Sequence, residues 1–282
     1  MIAALVAAGA LVLGASTPAD PTAEAVLRGE QAYVAYVDAH GGVRGRPVEI
    51  AFDSTDALAS LDELPHYALP PRGEGEAYGR WLAAELPEAK VAVLVQADAT
   101  GRALLAGLRR AAAKQLVAVE QADVDVATPL AALQGSGATV LCLLAPALSA
   151  DAYGALAQLR WKPQVVGAYS SAYPPAGTVS ATYLRGDDPL AAKLAKGADA
   201  RDPAFLQGLA NGWTTIDVLR RAGRNPTPAS VARAAAMLVE AGNPFLLSGV
   251  KVRGTQTTAQ LQLARWRAGR WLPFGGVLTL AR

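Results

Sequence analysis

The stretch Lys90-Val-Ala-Val-Leu-Val95 has the composition of a buried β-strand and decides the fold class. Its apolar run leaves no polar face for water, as expected of a strand covered on both sides of a parallel sheet. A helical pattern over 74–86 precedes the strand and ends before Pro87, and another helical pattern over 102–114 follows it. The strand is therefore predicted to lie between two helices.

The same alternation continues toward the C-terminus. Further strands are predicted over 116–120, 139–144, 164–167 and 178–184. The intervening helices start at Thr128 and cover 149–160. Strands separated by helices of this length predict an α/β fold with a parallel sheet covered on both faces.

Residues 1–13 carry no charged or polar side chain, and two interpretations of them remain open. A secretory signal would fit the apolar run and the small residues that follow, but such a signal opens with Lys or Arg, and the first basic residue is Arg28. Alternatively, 10–14 is the first buried strand. The run is shorter than the roughly 20 residues that span a bilayer, and we expect no lipid anchor because no cysteine is available there.

The first helix is predicted from Asp20-Pro21, an N-cap followed by proline, up to His40. Its apolar face consists of Val26, Gly29, Tyr33 and Val37. A strand is predicted over 47–52. Near the C-terminus the patterns predict long helices over 202–221 and 227–241 and strands over 248–252 and 260–266.

Composition excludes several classes of protein. With 282 residues, 52% of them apolar, the chain can form one large domain or two smaller lobes, and disorder is excluded. A net charge of +2 lacks the basic excess of a nucleic-acid binder. One cysteine, Cys142, and two histidines cannot build a Cys/His zinc site or an internal disulfide, so we expect neither a metal nor a cofactor.

The sequence contains no assembled catalytic motif. His40 falls at a helix end and His66 in an irregular segment, and no G-x-S-x-G element occurs. Gly73-Glu-Gly75 places an acid where a phosphate would bind and is interpreted as a turn. We therefore expect no catalytic residues and no enzymatic activity.

Four segments occur in the order known from one protein family. They are His40-Gly-Gly-Val-Arg-Gly-Arg-Pro-Val-Glu-Ile50 with its preceding helix and Asp53, Lys90-Val-Ala-Val-Leu-Val-Gln-Ala-Asp-Ala-Thr-Gly101, Gly212-Trp-Thr-Thr-Ile-Asp-Val-Leu-Arg-Arg-Ala-Gly223 and Gln262-Leu-Ala-Arg-Trp-Arg-Ala-Gly-Arg-Trp-Leu-Pro-Phe-Gly275. Together they resemble type I periplasmic binding proteins of the branched-chain amino-acid and amide uptake class.

The resemblance implies two α/β lobes with parallel sheets flanked by helices and a ligand held in the cleft between them. Lobe 1 would comprise 10–70 and 203–252, lobe 2 would comprise 71–182 and 260–282, and 183–202 would form a crossover region. It also implies a periplasmic, monomeric solute-binding protein of an ABC importer, with a small organic ligand and a membrane permease as partners.

The chain departs from the family pattern in its first lobe. Only eleven residues stand between Asp53 and Pro65, where the family carries further βα units of about 30 residues each, including the loop that binds an amino acid. We therefore expect a truncated first lobe and a ligand that is amino-acid-like, amide-like or a small aromatic or apolar molecule. The ligand-contact candidates, transferred by position, are Ser16, Thr17, Thr100, Tyr169, Ser170 and Trp213.

Two other functions remain open at this point. The chain could be an accessory, sensor or protein-interaction member of the same fold that has lost transport binding. An α/β enzyme of an unrelated family is the third possibility, and the missing acid, base and nucleophile argue against it.

Overall fold

The computed structural model describes residues 9–67, 69–167, 174–195, 197, 202–240, 242–248, 250, 252–253 and 260–280. The chain divides into two compact units. Unit 1 comprises Met1–Ala68 and Leu184–Thr258, and unit 2 comprises Leu69–Tyr183 and Ala259–Arg282. Residues 184–202, most of the expected crossover region, thus group with unit 1.

The described elements alternate between helix and strand over most of the chain. The helices are α1 (Pro21–Ala39), α2 (Pro71–Glu85), α3 (Ala99–Ala112), α4 (Ala127–Gln134), α5 (Ser149–Leu159), α6 (Pro189–Leu194), α7 (Pro203–Arg221) and α8 (Pro228–Ala236). The strands are β1 (Leu11–Ala15), β2 (Val48–Phe52), β3 (Val91–Gln96), β4 (Leu116–Ala122), β5 (Val140–Leu144), β6 (Gln164–Gly167), β7 (Val179–Thr182), β8 (Val239–Glu240), β9 (Val252–Arg253), β10 (Gln260–Arg267) and β11 (Arg270–Thr279).

Unit 1 contains a short parallel sheet in which β1 pairs with β2. The other edge of β1 is taken by an extended segment, because the Leu58 amide donates to the Val12 carbonyl at 2.8 Å and the Gly14 amide donates to the Ala59 carbonyl at 2.9 Å. Ser60 forms a parallel bridge with Gly14. Both edges of β1 are therefore hydrogen bonded.

Helices α1 and α7 of unit 1 pack backbone to backbone through glycine. A Cβ atom added at Gly29 of α1 would lie 2.2 Å from the Phe205 carbonyl oxygen, and one added at Gly208 of α7 would lie 1.9 Å from the Val26 carbonyl oxygen. No side chain fits at either position without moving a helix. The two glycines therefore set the spacing of α1 and α7.

Unit 2 is built around a seven-stranded sheet of order β11-β10-β7-β6-β5-β3-β4. The five strands from β4 to β7 are parallel, and β10 pairs antiparallel with both β7 and β11. Val91, Val93 and Val95 of β3 pack against α2 and α3, whereas Ala92 and Leu94 pack against α4 and α5. Both faces of β3 are thus buried, as the apolar run predicts.

Helices α2 and α3 repeat the glycine packing seen in unit 1. A Cβ atom at Gly75 would lie 2.0 Å from the Leu104 carbonyl oxygen, and one at Gly107 would lie 1.9 Å from the Arg72 carbonyl oxygen. The interpretation of Gly73-Glu-Gly75 as a turn is therefore wrong, since these residues form the first turns of α2. Gly75 allows α2 to approach α3 closely and does not form a turn of the chain.

Most sequence-predicted elements are confirmed within one to four residues. The Asp20 side chain caps α1 by accepting from the Ala23 amide at 2.9 Å, and 10–14 is indeed a buried strand. The predicted helix over 227–241 is wrong at its end, because α8 stops at Ala236 and β8 pairs antiparallel with β9. Strand β11 and helix α6 were not predicted. Among the described residues, no helix combines the length and hydropathy needed to cross a membrane.

Candidate functional site

A cavity of about 540 Å³ lies in unit 1 at the carboxyl end of β1. Its wall is formed by the loop that follows β1, one face of α1, the segment 61–66 and two amides of α7. The lining residues are Ala15, Ser16, Thr17, Pro18, Ala19, Ala23, Val26, Leu27, Glu30, Leu61, Asp62, His66, Gln207 and Asn211. The lining combines apolar side chains with a few polar groups, as small-molecule sites do.

The loop after β1 contributes two of the predicted contact residues. Ser16 and Thr17 are exposed at the wall of the cavity. The Ser16 hydroxyl donates to the Asp62 carboxylate at 2.9 Å, which ties this loop to the segment on the far side of β1. The N-terminus of α1 nearby is capped by Asp20, whose negative charge disfavours an anionic ligand there.

Glu30 of α1 is a buried carboxyl group in the wall of the cavity. It is 8% exposed, and its Oε1 atom accepts a hydrogen bond from the Asn211 amide at 3.1 Å. Burial raises the pKa of Glu30 to about 7, and the negative charge of Asp62 acts in the same direction. Glu30 can therefore change its charge near neutral pH.

Backbone contacts orient the amides that α7 contributes to the cavity. The Tyr67 amide donates to Asn211 Oδ1 at 3.4 Å, which directs the Asn211 NH₂ group toward Glu30. The Gln207 NH₂ group donates to the Tyr67 carbonyl at 3.0 Å. His66 Nδ1 lies 3.3 Å from the Leu64 carbonyl, to which it can donate. These bonds attach the segment 64–67 to α7.

Tyr67 links this wall to a buried polar network. Its fully buried hydroxyl donates to Thr214 Oγ1 at 2.5 Å and accepts from the Asn243 amide at 3.0 Å. Asn243 also donates to the Ala210 carbonyl at 3.1 Å. Since buried polar groups are costly when unpaired, the network fixes the segment that carries His66.

Removing the Tyr67 hydroxyl should weaken unit 1. We expect Tyr67→Phe to lower the free energy of unfolding by about 1–2 kcal/mol, because Thr214 and Asn243 each lose a buried partner. Urea unfolding measures the change. Tyr36→Phe is the control, since the Tyr36 hydroxyl has no hydrogen-bond partner in the described part of the chain, and its effect should stay within about 0.5 kcal/mol. Equal losses in both variants would contradict a role for the network.

Thr100 lies in unit 2, in the first turn of α3 after β3. In the sheet order β4-β3-β5-β6-β7, the chain continues from β3 to one side of the sheet and from β5 to the other side. Ligands of doubly wound sheets bind at such a switch point, between the ends of the two strands. Gln96 joins the two loops there, because its Oε1 atom accepts from the Ala147 amide at 3.2 Å. Thr100 is exposed at this edge of the sheet.

A second buried carboxyl group, Glu74, lies in α2 of unit 2. Its Oε1 atom is 2.6 Å from the hydroxyl of Tyr78. That hydroxyl also lies 2.9 Å from the Gly167 carbonyl and accepts from the Ala181 amide at 3.1 Å. Complete burial raises the pKa of Glu74 to about 7. The protonated form of Glu74 suits this geometry, because Glu74 can then donate to the Tyr78 hydroxyl. The Tyr78 hydroxyl is then free to donate its single proton to the Gly167 carbonyl.

The remaining predicted contacts have different outcomes. Tyr169 and Ser170 lie outside the described residues. Trp213 packs on Tyr33 of α1, with ring centroids 5.8 Å apart, and is not part of the cavity wall. Two positions separate Trp213 from Asn211, a rotation of about 200° around α7. A ligand contact by Trp213, like one by Thr100, stays a prediction.

Sequence reasoning missed five other polar residues of the cavity wall. Glu30, Asp62, His66, Gln207 and Asn211 were not proposed as contacts. A signal existed for Glu30, because it falls on the apolar face of α1, four residues after Val26 and three before Tyr33. A carboxyl group at a buried helix position is costly and therefore indicates a specific environment.

No protein-family model and no curated protein matches the sequence. Solved structures match over nearly the whole chain. A branched-chain amino-acid ABC transporter protein from Thermus thermophilus with bound valine has a TM-score of 0.75 and 16% identity, covering 96% of this chain and 97% of its own. A solute-binding protein from Rhodopseudomonas palustris BisB5 in complex with 3,4-dihydroxybenzoic acid has a TM-score of 0.72 and 12% identity. The match covers 97% of this chain and 98% of that protein.

A fatty-acid ABC transporter substrate-binding protein from Thermomonospora curvata has a TM-score of 0.76 and 14% identity, covering 97% of this chain and 93% of its own. At these identities the likeness shows the fold, and the expected architecture of parallel sheets flanked by helices is confirmed. The ligands of the three proteins differ in class, so the fold alone does not specify a ligand.

Proposed function

Because the chain has the fold of type I periplasmic binding proteins, we propose that it is a non-enzymatic solute-binding protein of an ABC-type importer. Its ligand is a small organic molecule, and unit 1 binds it in the cavity at the carboxyl end of β1. We further propose that it acts as a monomer in the periplasm and delivers the ligand to a membrane permease.

The cavity in unit 1 is the observation that carries this proposal. Its volume of about 540 Å³ falls in the range of small-molecule sites, and it opens where strands of α/β folds present their ligands. Ser16 and Thr17 supply hydroxyl groups on one side, and Glu30, Gln207 and Asn211 supply polar groups on the other. Thr100, Tyr169, Ser170 and Trp213 stay predicted contacts, although Thr100 and Trp213 do not belong to the wall of this cavity.

Binding should be visible as stabilisation of the folded protein. A ligand present at 100 times its dissociation constant adds about 2.7 kcal/mol to the free energy of unfolding. We expect at least one compound from a panel of amino acids, amides, amines, aromatic acids and fatty acids to raise the melting temperature, with calorimetry giving a one-to-one stoichiometry. Ser16→Val should weaken that binding, whereas Ser136→Val, at a half-buried position of unit 2, should not.

A panel without a single stabilising compound would reject transport binding and favour the second function, an accessory or interaction protein of the same fold. The small sheet of unit 1 is the observation that favours this alternative, since its two strands offer few strand ends from which ligand contacts can project. A direct test is capture of a protein partner by the purified chain.

A further inference from the structure

Several hydrogen-bond donors in the wall of the unit 1 cavity are bonded to other protein groups. The donors of Ser16, Gln207 and Asn211 are directed at the protein, to Asp62, the Tyr67 carbonyl and Glu30 respectively. One N–H of each amide and the Ser16 O–H are thereby engaged, and the oxygen atoms of Ser16 and Gln207 can still accept hydrogen bonds. A ligand with donors of its own can bind to these oxygen atoms.

Glu30 is the strongest of these acceptors. It is more than nine-tenths buried, and Asn211 engages its Oε1 atom only. Within the described residues Oε2 has no hydrogen-bond partner, and Glu30 belongs to the cavity wall. A buried carboxylate with one unpaired oxygen is unfavourable until an opposite charge or a donor reaches it.

The charges around the cavity point to a cation. Two carboxyl groups, Glu30 and Asp62, belong to the wall, and no lysine or arginine does within the described chain. Aspartate, glutamate, histidine and cysteine side chains of the described residues nowhere converge to hold a metal ion. The apolar part of the wall, including Val26, Leu27 and Leu61, instead suits the hydrocarbon portion of an organic molecule.

Resting on the proposed function, we infer that the unit 1 cavity binds an organic ammonium ion, whose N–H groups donate to Glu30 Oε2 and Gln207 Oε1 and whose hydrocarbon part packs on the α1 face. A carboxylate group at the same place would meet two acids and no cationic side chain. The cavity thus discriminates against acids of the kind found with the similar proteins.

This arrangement also predicts a pH dependence of binding. The other titratable groups of the wall are Asp62 and His66, and α7 contributes only neutral amides. An ammonium ion binds the charged form of Glu30, whose pKa is about 7 in the free protein. Its apparent affinity should therefore fall by about 30-fold between pH 8 and pH 5.5.

Three matched probes test the inference. Phenethylamine, phenylacetamide and phenylacetate share an aromatic ring and differ in a head group that is cationic, neutral or anionic. We expect calorimetry at pH 8 to give binding for phenethylamine and at least tenfold weaker binding for the other two. Glu30→Gln, which keeps the shape and the Asn211 contact, should reduce phenethylamine affinity at least tenfold and remove most of its pH dependence. Glu24→Gln on the exposed face of α1 should leave the affinity unchanged.

Each outcome bears on the inference separately from the proposed function. Equal or tighter binding of phenylacetate or phenylacetamide would overturn the cation site while supporting a solute-binding protein. Phenethylamine binding that is unaffected by Glu30→Gln would place the cation elsewhere and also overturn the inference. No binding of phenethylamine at millimolar concentration would reject the cation site, and the wider ligand panel would then decide the proposed function by itself. His66→Asn with an unchanged pH dependence would assign the titration to Glu30.

Discussion

Replacing Gly208 with alanine should destabilise the protein by about 3 kcal/mol, at the upper end of overpacking effects. The added methyl group would fall 1.9 Å from the Val26 carbonyl oxygen, and a backbone atom inside a packed helix cannot rotate away as a side chain can. Either α1 and α7 move apart along their contact or one helix bends. Both responses disturb the packing of Tyr33 against α7 and the position of Glu30.

Denaturant unfolding followed by circular dichroism measures this loss, and Gly154→Ala is its matched control. Gly154 is an exposed helix residue in α5, and a Cβ atom there would meet nothing within 4 Å. That substitution should raise stability by about 0.5–1 kcal/mol, since alanine favours the helix over glycine. Gly107→Ala in the α2–α3 contact should behave like Gly208→Ala. If Gly208→Ala unfolded at the denaturant concentration of the unchanged protein, the close approach of α1 and α7 would not be a rigid feature.

The free energy of unfolding should rise when the pH is lowered from 8 to 5. Proteins whose carboxylates are held charged by ion pairs lose stability over the same change. Glu74 and Glu30 each have a pKa of about 7 in the folded protein against 4.5 as the ordinary value. Between these pH values the folded state binds more protons than the unfolded chain does. The associated stabilisation is complete below pH 4.5, and it is lost as the pH rises through 7; each group contributes at most about 3 kcal/mol.

The variant Glu74→Gln separates the pH-dependent contribution of Glu74 from that of Glu30. A neutral amide has no charge to desolvate, so the variant should be more stable than the unchanged protein at pH 8 by about 2 kcal/mol. The two proteins should converge near pH 5. Glu85→Gln, at the exposed end of the same helix, should leave the pH profile unchanged. A profile for Glu74→Gln that parallels the original at every pH would show that Glu74 does not titrate in this range.

The sequence allowed most of unit 2 to be predicted because its elements are local patterns. Strand β3 and helix α3 follow directly from an apolar run and a helical period. Strand β11 could not be found this way, because it lies at the sheet edge and exposes most of its side chains, so no alternation marks it. The shortened end of α8 has a tertiary cause, namely the pairing of β8 with β9.

The candidate site was less predictable than the fold. Ser16 and Thr17 were proposed as contacts from the family resemblance, and both lie in the loop at the carboxyl end of β1. Glu30 and Asn211, by contrast, are 181 residues apart in sequence and meet only because glycines bring α1 and α7 close together. No local pattern contains that information. The apolar stripe of α1 could have indicated that Glu30 is buried, but not which residue it faces.

The extended segment beside β1 has a consequence for the behaviour of the chain in solution. A two-stranded sheet with a free edge offers a row of unpaired amides and carbonyls to which another molecule can add a strand. Here Leu58 and Ala59 occupy that row on β1. Residues 57–60, which look like a shortened connection, therefore protect the edge of β1 from pairing with another molecule. Deleting residues 57–60 should expose β1 and promote aggregation rather than yield a more compact protein.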